Sequence, residues 1–596
     1  MSGHFGTLPD RSRIRLDKLR EVVQSRYDHA LNAQRGLRDD LGRFMQLYMG
    51  INQDVISPWE SNLVAPAVFD AVETHLPHII TEDFEFRVVP GAGADPAKTQ
   101  AFDRLLAYDT DRTDLAWQMV PFAKQGLIYG TSPMFVGYSF QEEMLAVREF
   151  EQVFAGTPAA TMLPTTGERR VVTFDGPFVE TTDLVNTFPE PGKKVVNAPG
   201  GRGMNWLLHR FRVPYSYLLQ LEQQGVLVPG VLKDLQGKGE PISPSEINEE
   251  FERAQLMGID IGLEDHTVQH VEIIAMWGDR LHDMRGLVWL ANREVIIRDE
   301  AHPFFHGKIP FCFFQDIPQI HDIFGLGQAH ILESYQYEKS DLRNSRLDNV
   351  HMIQNRMWLR KAGSMVDPNQ LQSAPGNVID VEAMDDVRPL DHQDIPQSSY
   401  RDEQLLQDDM DRTSGSLDVL RGRQLGGNRS SATENQLMAE LASTRSLIKR
   451  MGLRRCLREV GRMMLQLEQQ FLTQEKLVRV AGPDGATVET RILPEDIIGQ
   501  WDVKVELDQK LPLTRIQRRQ EEAELWDRIS PLFGTFLDPM PYVDALVRAY
   551  GRDPSSRIKP IQQDPSQGGQ DGAGAATPPQ IDPAQIAQEA IAAAGG

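Results

Sequence analysis

The chain has 596 residues, of which 40% are hydrophobic and 25% charged, enough apolar side chains for a sizeable core and too many for global disorder. At about 150 residues per domain, that length allows three or four structural units or one elongated body. Its 62 basic and 85 acidic residues leave a net charge of −23. This is the wrong sign for a protein that clamps nucleic acid by neutralising phosphates, though not for one that surrounds DNA without gripping it.

Two cysteines, Cys312 and Cys456, are too few to staple so long a chain and fit a reducing compartment. No run approaches the ~18 apolar residues of a membrane span; the densest, 309–314, is broken by Pro310. The polar, basic start has no hydrophobic region of a signal peptide. A soluble, intracellular product is expected.

Taken in order, residues 15–48 read as one amphipathic helix. Leu16, Leu19, Val23, Tyr27, Leu31, Leu37, Leu41, Phe44 and Tyr48 recur mostly at three- and four-residue steps, and Gly50 ends it. A second helix is expected from Pro66 to about Ile80, interrupted by Pro77. A strand at 84–89 follows, then a helical pattern over 96–129 that closes at Gly130. Between about 134 and 300, alternating or β-branched runs at 135–138, 171–174, 271–277 and 294–298, with one helix at 214–224, predict a mixed α+β region.

Helix returns at Gly327 and runs without proline or glycine to Ala362. An acidic segment, 364–396, holds Asp380, Glu382, Asp385, Asp386, Asp391 and Asp394. A helix at 399–413 and a Gly/Arg-rich loop at 414–430 come next. The longest helix is expected from Ser431 to about Leu472, roughly 60 Å at 1.5 Å per residue, and Ser431 with Glu434 forms a capping-box pattern. Leu437, Leu441, Thr444, Ile448 and Met451 make its apolar stripe. After Gly452 the phase shifts to Cys456, Val460, Met463, Leu467 and Phe471, which predicts a kink. Trp501, Val503, Val505 and Leu507 alternate with charged residues, as in a half-buried strand. Helices are expected at about 513–529 and 541–550, and a disordered Pro/Gly/Gln/Ala tail from Asp553.

Patterns that could carry chemistry are weak. The string from Gly230 to Gly239 has the wrong spacing for a phosphate loop, and glycine stands where Ser/Thr would hold magnesium. Gly325 and Gly327 open a helix but lack the third glycine of a dinucleotide loop. His302/His306, His266/His270 and His75/His78 are pairs, whereas a metal needs three or four converging ligands. Asp408, Asp409 and Asp411 do not converge, because neighbouring helix positions point about 100° apart; they read as a solvated acidic face. With neither a GxSxG elbow nor an HExxH motif, no catalytic, cofactor-binding or metal residue is assigned.

Two basic features remain. Arg450, Arg454, Arg458 and Arg462 lie at i, i+4 on the long helix, flanked by Arg445, Lys449 and Arg455; ion pairing with acidic neighbours in the same or an adjacent subunit is the favoured reading. The loop before that helix holds Arg421, Arg423 and Arg429 among glycines. It is either a connector or a segment able to touch a phosphate backbone transiently.

Several stretches together resemble the portal proteins, or head-to-tail connectors, of tailed bacteriophages. They are Pro58 and Trp59 through Pro66 with the strand at 86–90; Lys124, Gly126, Tyr129, Gly130 and Thr131 with 136–138; and Asn186 to Pro191. The strongest runs from Lys308 through Phe324, Gly325 and Gly327 into 331–359, completed by the Gly-rich loop and capping box before the long helix. The likeness covers about 10–550. It rests on the succession helix, acidic insert, helix, loop, long helix more than on any single motif.

The resemblance implies an elongated, helix-rich α+β portal fold, assembled as a ring of usually twelve subunits around a central channel, and no enzyme. The implied wing spans 1–322, the first stem helix 323–363, the clip 364–396 and the second stem helix 397–414. A tunnel loop at 415–430, a long kinked wing helix at 431–474, strands and crown helices at 475–552 and a disordered tail at 553–596 follow. Such a ring sits at one capsid vertex of the virion, after assembly in the host cytoplasm, and double-stranded DNA is packaged and ejected through it. Its implied partners are the terminase large subunit, then a head-completion adaptor or tail proteins, with the major capsid and scaffolding proteins around it. DNA-channel contacts would fall on Arg421, Arg423, Gln424, Asn428 and Arg429, and partner docking on Asp380, Glu382, Asp385 and Asp386. Arg450, Arg454, Arg458 and Arg462 would be intersubunit. No cofactor and no membrane is implied. The competing readings are a packaging ATPase or nuclease with an unrecognised site, which a Walker lysine or converging carboxylates would mark, and a non-viral helical scaffold, which would form dimers or filaments.

Overall fold

The computed structural model describes residues 11–51, 60–80, 84–90, 98–153, 161–232, 270–279, 285–355, 357–364, 366–367, 371, 380–381, 383, 385–390, 396–415, 432–472, 476–481, 487–493 and 501–507, with 523, 525–528, 530 and 543. They form two units, one built from 1–80 and 112–471, the other from 81–111 and 472–596.

The apolar periodicity near the start makes two helices, α1 (Arg11–Ala33) and α2 (Arg35–Met49), where one was expected. Gln34 divides them because its side chain turns inward, 2% exposed, and donates Nε2 to the Thr187 carbonyl at 3.1 Å. The break also separates two destinations. Leu19, Val23, Tyr27 and Ala30 of α1 join a core with Phe188, Trp206, Ile274 and Met276, whereas Leu41, Phe44 and Leu47 of α2 are buried in the helical layer. Gly50 closes α2 with φ 67°, the left-handed conformation that suits glycine. The helix expected after Pro66 is α3 (Ala67–Ile79), with Pro77 inside its last turn.

β1 (Phe84–Pro90) and α4 (Thr99–Arg112) lead into α5 (Leu115–Tyr129). The continuous helical pattern of 96–129 is therefore split, at Asp114, whose φ of 48° is left-handed.

The mixed region holds far longer strands than the short runs suggested. β2 (Thr131–Val153) and β3 (Thr161–Thr181) pair antiparallel from Met134 opposite Thr181 to Val153 opposite Thr161, with a bulge at Gln141/Glu142. β4 (Thr187–Pro189), β5 (Trp206–Pro214), β6 (His270–Asp279), β7 (Arg285–Ala291) and β8 (Val295–Ala301) form a five-stranded antiparallel sheet in sequence order. The helix expected at 214–224 is α6 (Tyr215–Gln223), which packs with β5. β9 (Phe311–Gln315) pairs with the first residues of β2, giving the order β3–β2–β9. One face of the larger sheet carries the α1 core; the other buries Ile273, Ala291 and Ile297 with Leu218 of α6. Neither β5, β7 nor β9 was anticipated; β5 and β9 pair with segments distant in sequence, whereas β7 pairs with its neighbours β6 and β8.

Beyond β9 come α7 (Gln328–Gln354), β10 (Trp358–Arg360), β11 (Val387–Pro389), α8 (Gln397–Ser414) and α9 (Ala432–Phe471). The helix expected to reach Ala362 stops at Gln354, because Trp358–Arg360 is taken up by a hairpin with Val387–Pro389. α8 and α9 match their expected spans to within two residues, and α9 is continuous through Gly452. Its C-terminal residue Phe471 stacks on Tyr138 at the base of the β2–β3 ribbon, ring centroids 4.4 Å apart. Ser431 of the capping-box pattern lies outside the described residues.

The cysteines correct a further expectation. Cys312 of β9 and Cys456 of α9, read as two separate thiols, are joined by a disulfide with Cα atoms 5.7 Å apart, a normal Cα separation for such a bond. Both are at most 2% exposed.

In the second unit β1 pairs antiparallel with β14 (Trp501–Leu507), Phe84 opposite Leu507 and Pro90 opposite Trp501. The alternation holds: Val503 and Val505 are buried, Asp502 and Lys504 exposed. Trp501 meets Phe102 of α4 at 4.4 Å, and Asp103 Oδ1 accepts the Val88 N–H at 2.7 Å. β12 (Lys476–Ala481) and β13 (Thr487–Ile492) form a separate hairpin. Lys476 pairs with the buried Asp109 at 3.2 Å. Of the expected helices at 513–529 and 541–550 only residues 523, 525–528 and 543 are described, all helical; the tail from 553 lies outside the described residues.

Candidate functional site

The helices that carry the candidate residues start from a backbone crossing. A Cβ on Gly130, whose φ is 89°, would stand 2.2 Å from the Gly325 carbonyl oxygen, and one on Gly327 would stand 2.3 Å from that of Ile128. Gly325 also donates its N–H to Thr131 Oγ1 at 2.7 Å. The glycines at 325 and 327 thus let two backbone segments touch, and Gly327 caps α7; this is the helix-start role expected of them rather than a dinucleotide loop.

Asp316, one residue after β9, anchors the same junction. Its buried carboxylate pairs with the ammonium of Lys449 on α9 and accepts a hydrogen bond from Gln328 Nε2 at 2.8 Å. Burial pushes the Asp316 pKa up, while Lys449 and Gln328 pull it down. This pair reverses the expected facing of α9 before Gly452: Ser446 and Lys449 lie in the core, whereas Ile448 and Met451 of the apolar stripe are 65% and 68% exposed. A buried carboxylate needs a counter-charge more than the core needs another aliphatic side chain.

α7 is held along its length. Gln336, Ser340, Asn344 and Asp348, at i, i+4 steps on one face, accept the backbone N–H groups of Val68, Ala65, Leu63 and Ser61 at 2.9, 3.1, 2.8 and 2.7 Å. The segment from 61 to 66 has no sheet partner, and these side chains satisfy its amides at Ser61, Leu63 and Ala65 and one in the first turn of α3. α7 and α8 run antiparallel: Lys339 bonds Gln407, and Arg346 pairs with Glu403 while lying over the Tyr400 ring. At 1.5 Å per residue the 27 residues of α7 carry the β10–β11 hairpin about 40 Å from the crossing.

Within the hairpin the acidic candidates divide. Asp385 is exposed and pairs with Arg388 at 3.1 Å, and Asp380 is exposed. Asp386 instead turns inward at 8% exposure, accepting the Ala383 N–H at 3.2 Å and lying 3.9 Å from Lys361; it shapes the hairpin. Glu382 lies outside the described residues, as do Arg421, Arg423, Gln424, Asn428 and Arg429. Both helices flanking that loop are described: α8 ends at Gly415 with φ 78°, and the Ser414 carbonyl lies 3.0 Å from Nε2 of the fully buried His75.

On α9, Arg450, Arg454 and Arg462 are half-buried and Arg458 exposed. Burial, then the neighbouring Arg454, lowers the Arg450 pKa. Burial raises the Glu459 pKa, against the opposing pull of the nearby Arg455, Lys308 and Arg462. Asp408 and Asp409 are exposed on α8, as the solvated-face reading expects, and Asp409 pairs with Arg412 at 4.0 Å; Asp411 departs from that reading, being half-buried and accepting a hydrogen bond from Gln407 Nε2 at 3.0 Å.

His302 and His306 sit beside Trp277 and Phe304, and burial, His302 and Lys308 push the His306 pKa down to about 3. Among the described residues no three His, Cys, Asp or Glu side chains converge to hold a metal, and no helix is long and apolar enough to cross a membrane. A cavity of about 390 Å³ between α3, α7 and α8 has Asp70, Lys339, Arg343 and Asp411 on its wall. Asp316 and Gln336 escaped the sequence reading, while Lys449 was read only as a flank of the basic stripe and His75 only as half of a histidine pair. Each is a polar residue whose partner is more than a hundred positions away, and only the i, i+4 spacing of Gln336, Ser340, Asn344 and Asp348 gave a visible signal.

No curated protein matches the chain. The family model for the phage SU10 portal protein matches residues 209–594, which run from within β5 through β14 and take in the antiparallel helix pair, the hairpin and the long helix. Portal proteins of phages are, as a family, structural, non-enzymatic proteins of the virion capsid, which sets aside the non-viral reading. The chain belongs to the phage SU10 portal protein family and has a phage portal role.

Proposed function

We propose that copies of this chain close into a ring, twelve-fold as the resemblance implies, at one capsid vertex, and that double-stranded DNA enters and leaves through its channel. The observation that carries this reading is the antiparallel pair α7 and α8, bearing a hairpin at its far end and returning through the loop after Gly415 to the 40-residue α9. This supports the assignment of α7 and α8 as stem helices, of the hairpin as clip, and of the segments on either side as wing and crown. Because α7 ends at Gln354, a clip on this pair would open after that residue, earlier than the 364 that the resemblance implies. The clip would dock the terminase large subunit during filling and a head-completion adaptor or tail proteins afterwards, with Asp380 and Asp385 as its exposed acids.

Three physical arguments favour the reading. A closed ring needs the same heterologous contact repeated around an axis, and long helices supply it. A net charge of −23 keeps the wall from trapping the polyanion. B-DNA, with about 10–10.5 base pairs per turn, is out of register with twelve subunits, so few and flexible contacts suit it. The loop residues Arg421, Arg423 and Arg429 would make them. Alanine at all three should impair genome packaging and retention in assembled particles; particles that package and retain DNA normally would remove the loop from the channel.

A further inference from the structure

The ring reading leaves open which surfaces of adjacent copies meet. We infer that the exposed stripe of α9 formed by Ile448, Met451, Arg455 and Arg458 docks on the Leu405–Asp408–Asp409 face of α8 in a second copy of the chain. The inference rests on the ring proposal and deepens it.

Two observations carry it. On α9 the four residues follow 3-4-3 spacing and share one face. Ile448 and Met451 are 65% and 68% exposed, and Arg455 and Arg458 are exposed as well. The stripe is thus apolar in its first half and cationic in its second. It is turned away from the core because Lys449 is held inward by Asp316. On α8 the buried residues Leu406, Met410 and Ser414 face the chain's own core, which leaves Leu405, 52% exposed, with Asp408 and Asp409 on an outward face.

The two faces complement each other in sign and in spacing. Met451 leads Arg455 by four residues, as Leu405 leads Asp409. A parallel pairing therefore sets aliphatic against aliphatic and guanidinium against carboxylate one turn further on. The antiparallel pairing would set Arg455 against Arg401. The two patches lie on different helices, so the contact is heterologous and repeats from copy to copy, the kind that closes a ring. Desolvated apolar residues would supply the attraction and the charges the register.

The test uses the full chain and reads ring formation by sedimentation and negative-stain imaging, with melting curves for every variant. Asp408→Lys with Asp409→Lys should reduce the ring fraction about tenfold or more, and so should Arg455→Glu with Arg458→Glu, because each places like charges across the contact. Combining all four should restore rings. Rings undisturbed by either reversal, or a combined variant no better than its parts, would overturn the pairing while the ring reading stands. A wild-type chain that forms no ring overturns both. Should a reversal unfold the chain, cross-linking decides: Leu405→Cys and Met451→Cys chains, mixed and oxidised by a small-molecule disulfide, should yield a covalent dimer seen with neither alone. No dimer in the mixture contradicts the contact. The native Cys312 and Cys456, buried and joined to each other, take no part.

Discussion

The Lys449 ammonium is paired with the Asp316 carboxylate with both side chains almost wholly out of water, 8% and 0% exposed. The pair ties the long helix to the end of β9 and, through Gln328, to the start of α7. Removing one partner of such a pair strands a charge. Lys449→Met should cost about 3–5 kcal/mol, and adding Asp316→Leu should recover most of it. Urea unfolding of the two variants checks this; equal losses in the single and double variants would contradict the pairing.

Gly130 and Gly192 predict a sharp contrast between glycines. Gly130→Ala brings a Cβ within 2.2 Å of a carbonyl oxygen at φ 89° and should cost about 3 kcal/mol or more from strain and overlap together. Gly192 has φ 76° with nothing within 4 Å of its Cβ position, so Gly192→Ala should cost only about 1–2 kcal/mol. Thermal melts of both variants separate the two contributions.

The helices could be read from the sequence because their own side chains determine them: α8 and α9 were foreseen almost to the residue. Their interruptions could not. Gln34 divides α1 from α2 through a bond to Thr187, and α7 ends before Trp358 because Val387–Pro389 claims the next strand. Neither Gln34 nor Asn355 is a proline or glycine, and Gly36 lies inside α2. The pairing of β1 with β14 joins segments over 400 positions apart, where alternation announces a strand but not its neighbour. At the candidate site the acidic hairpin and basic stripe were visible as charge. That Asp386 folds inward, and that Lys449 displaces Ile448 from the core, depends on partners that spacing does not reveal.

Acid should weaken the fold through its buried histidines. His209, packed against Phe211, Phe311 and Phe135, has its pKa lowered by burial from 6.5 to about 4. The native state keeps it neutral while the unfolded chain takes up a proton below 6.5. The contribution is therefore full above that value and is lost as pH falls toward about 4, up to about 3 kcal/mol. His209→Leu should flatten the fall of the urea midpoint across this window, and an unchanged slope would contradict the assignment.

The disulfide between Cys312 and Cys456 closes a loop with a sequence separation of 144. Its reduction should lower stability by about 4–5 kcal/mol, from loop-closure entropy. Alkylation in denaturant should give no adduct before reduction and two after it; two adducts without reductant would show the thiols to be separate.

The central claim, a closed ring of portal subunits, is tested most directly by the mass and negative-stain image of the purified protein. The account predicts a particle of about 0.8 MDa with a central channel, twelve copies of a 67.2 kDa chain related by rotation. A stable, compact dimer without a channel would contradict it.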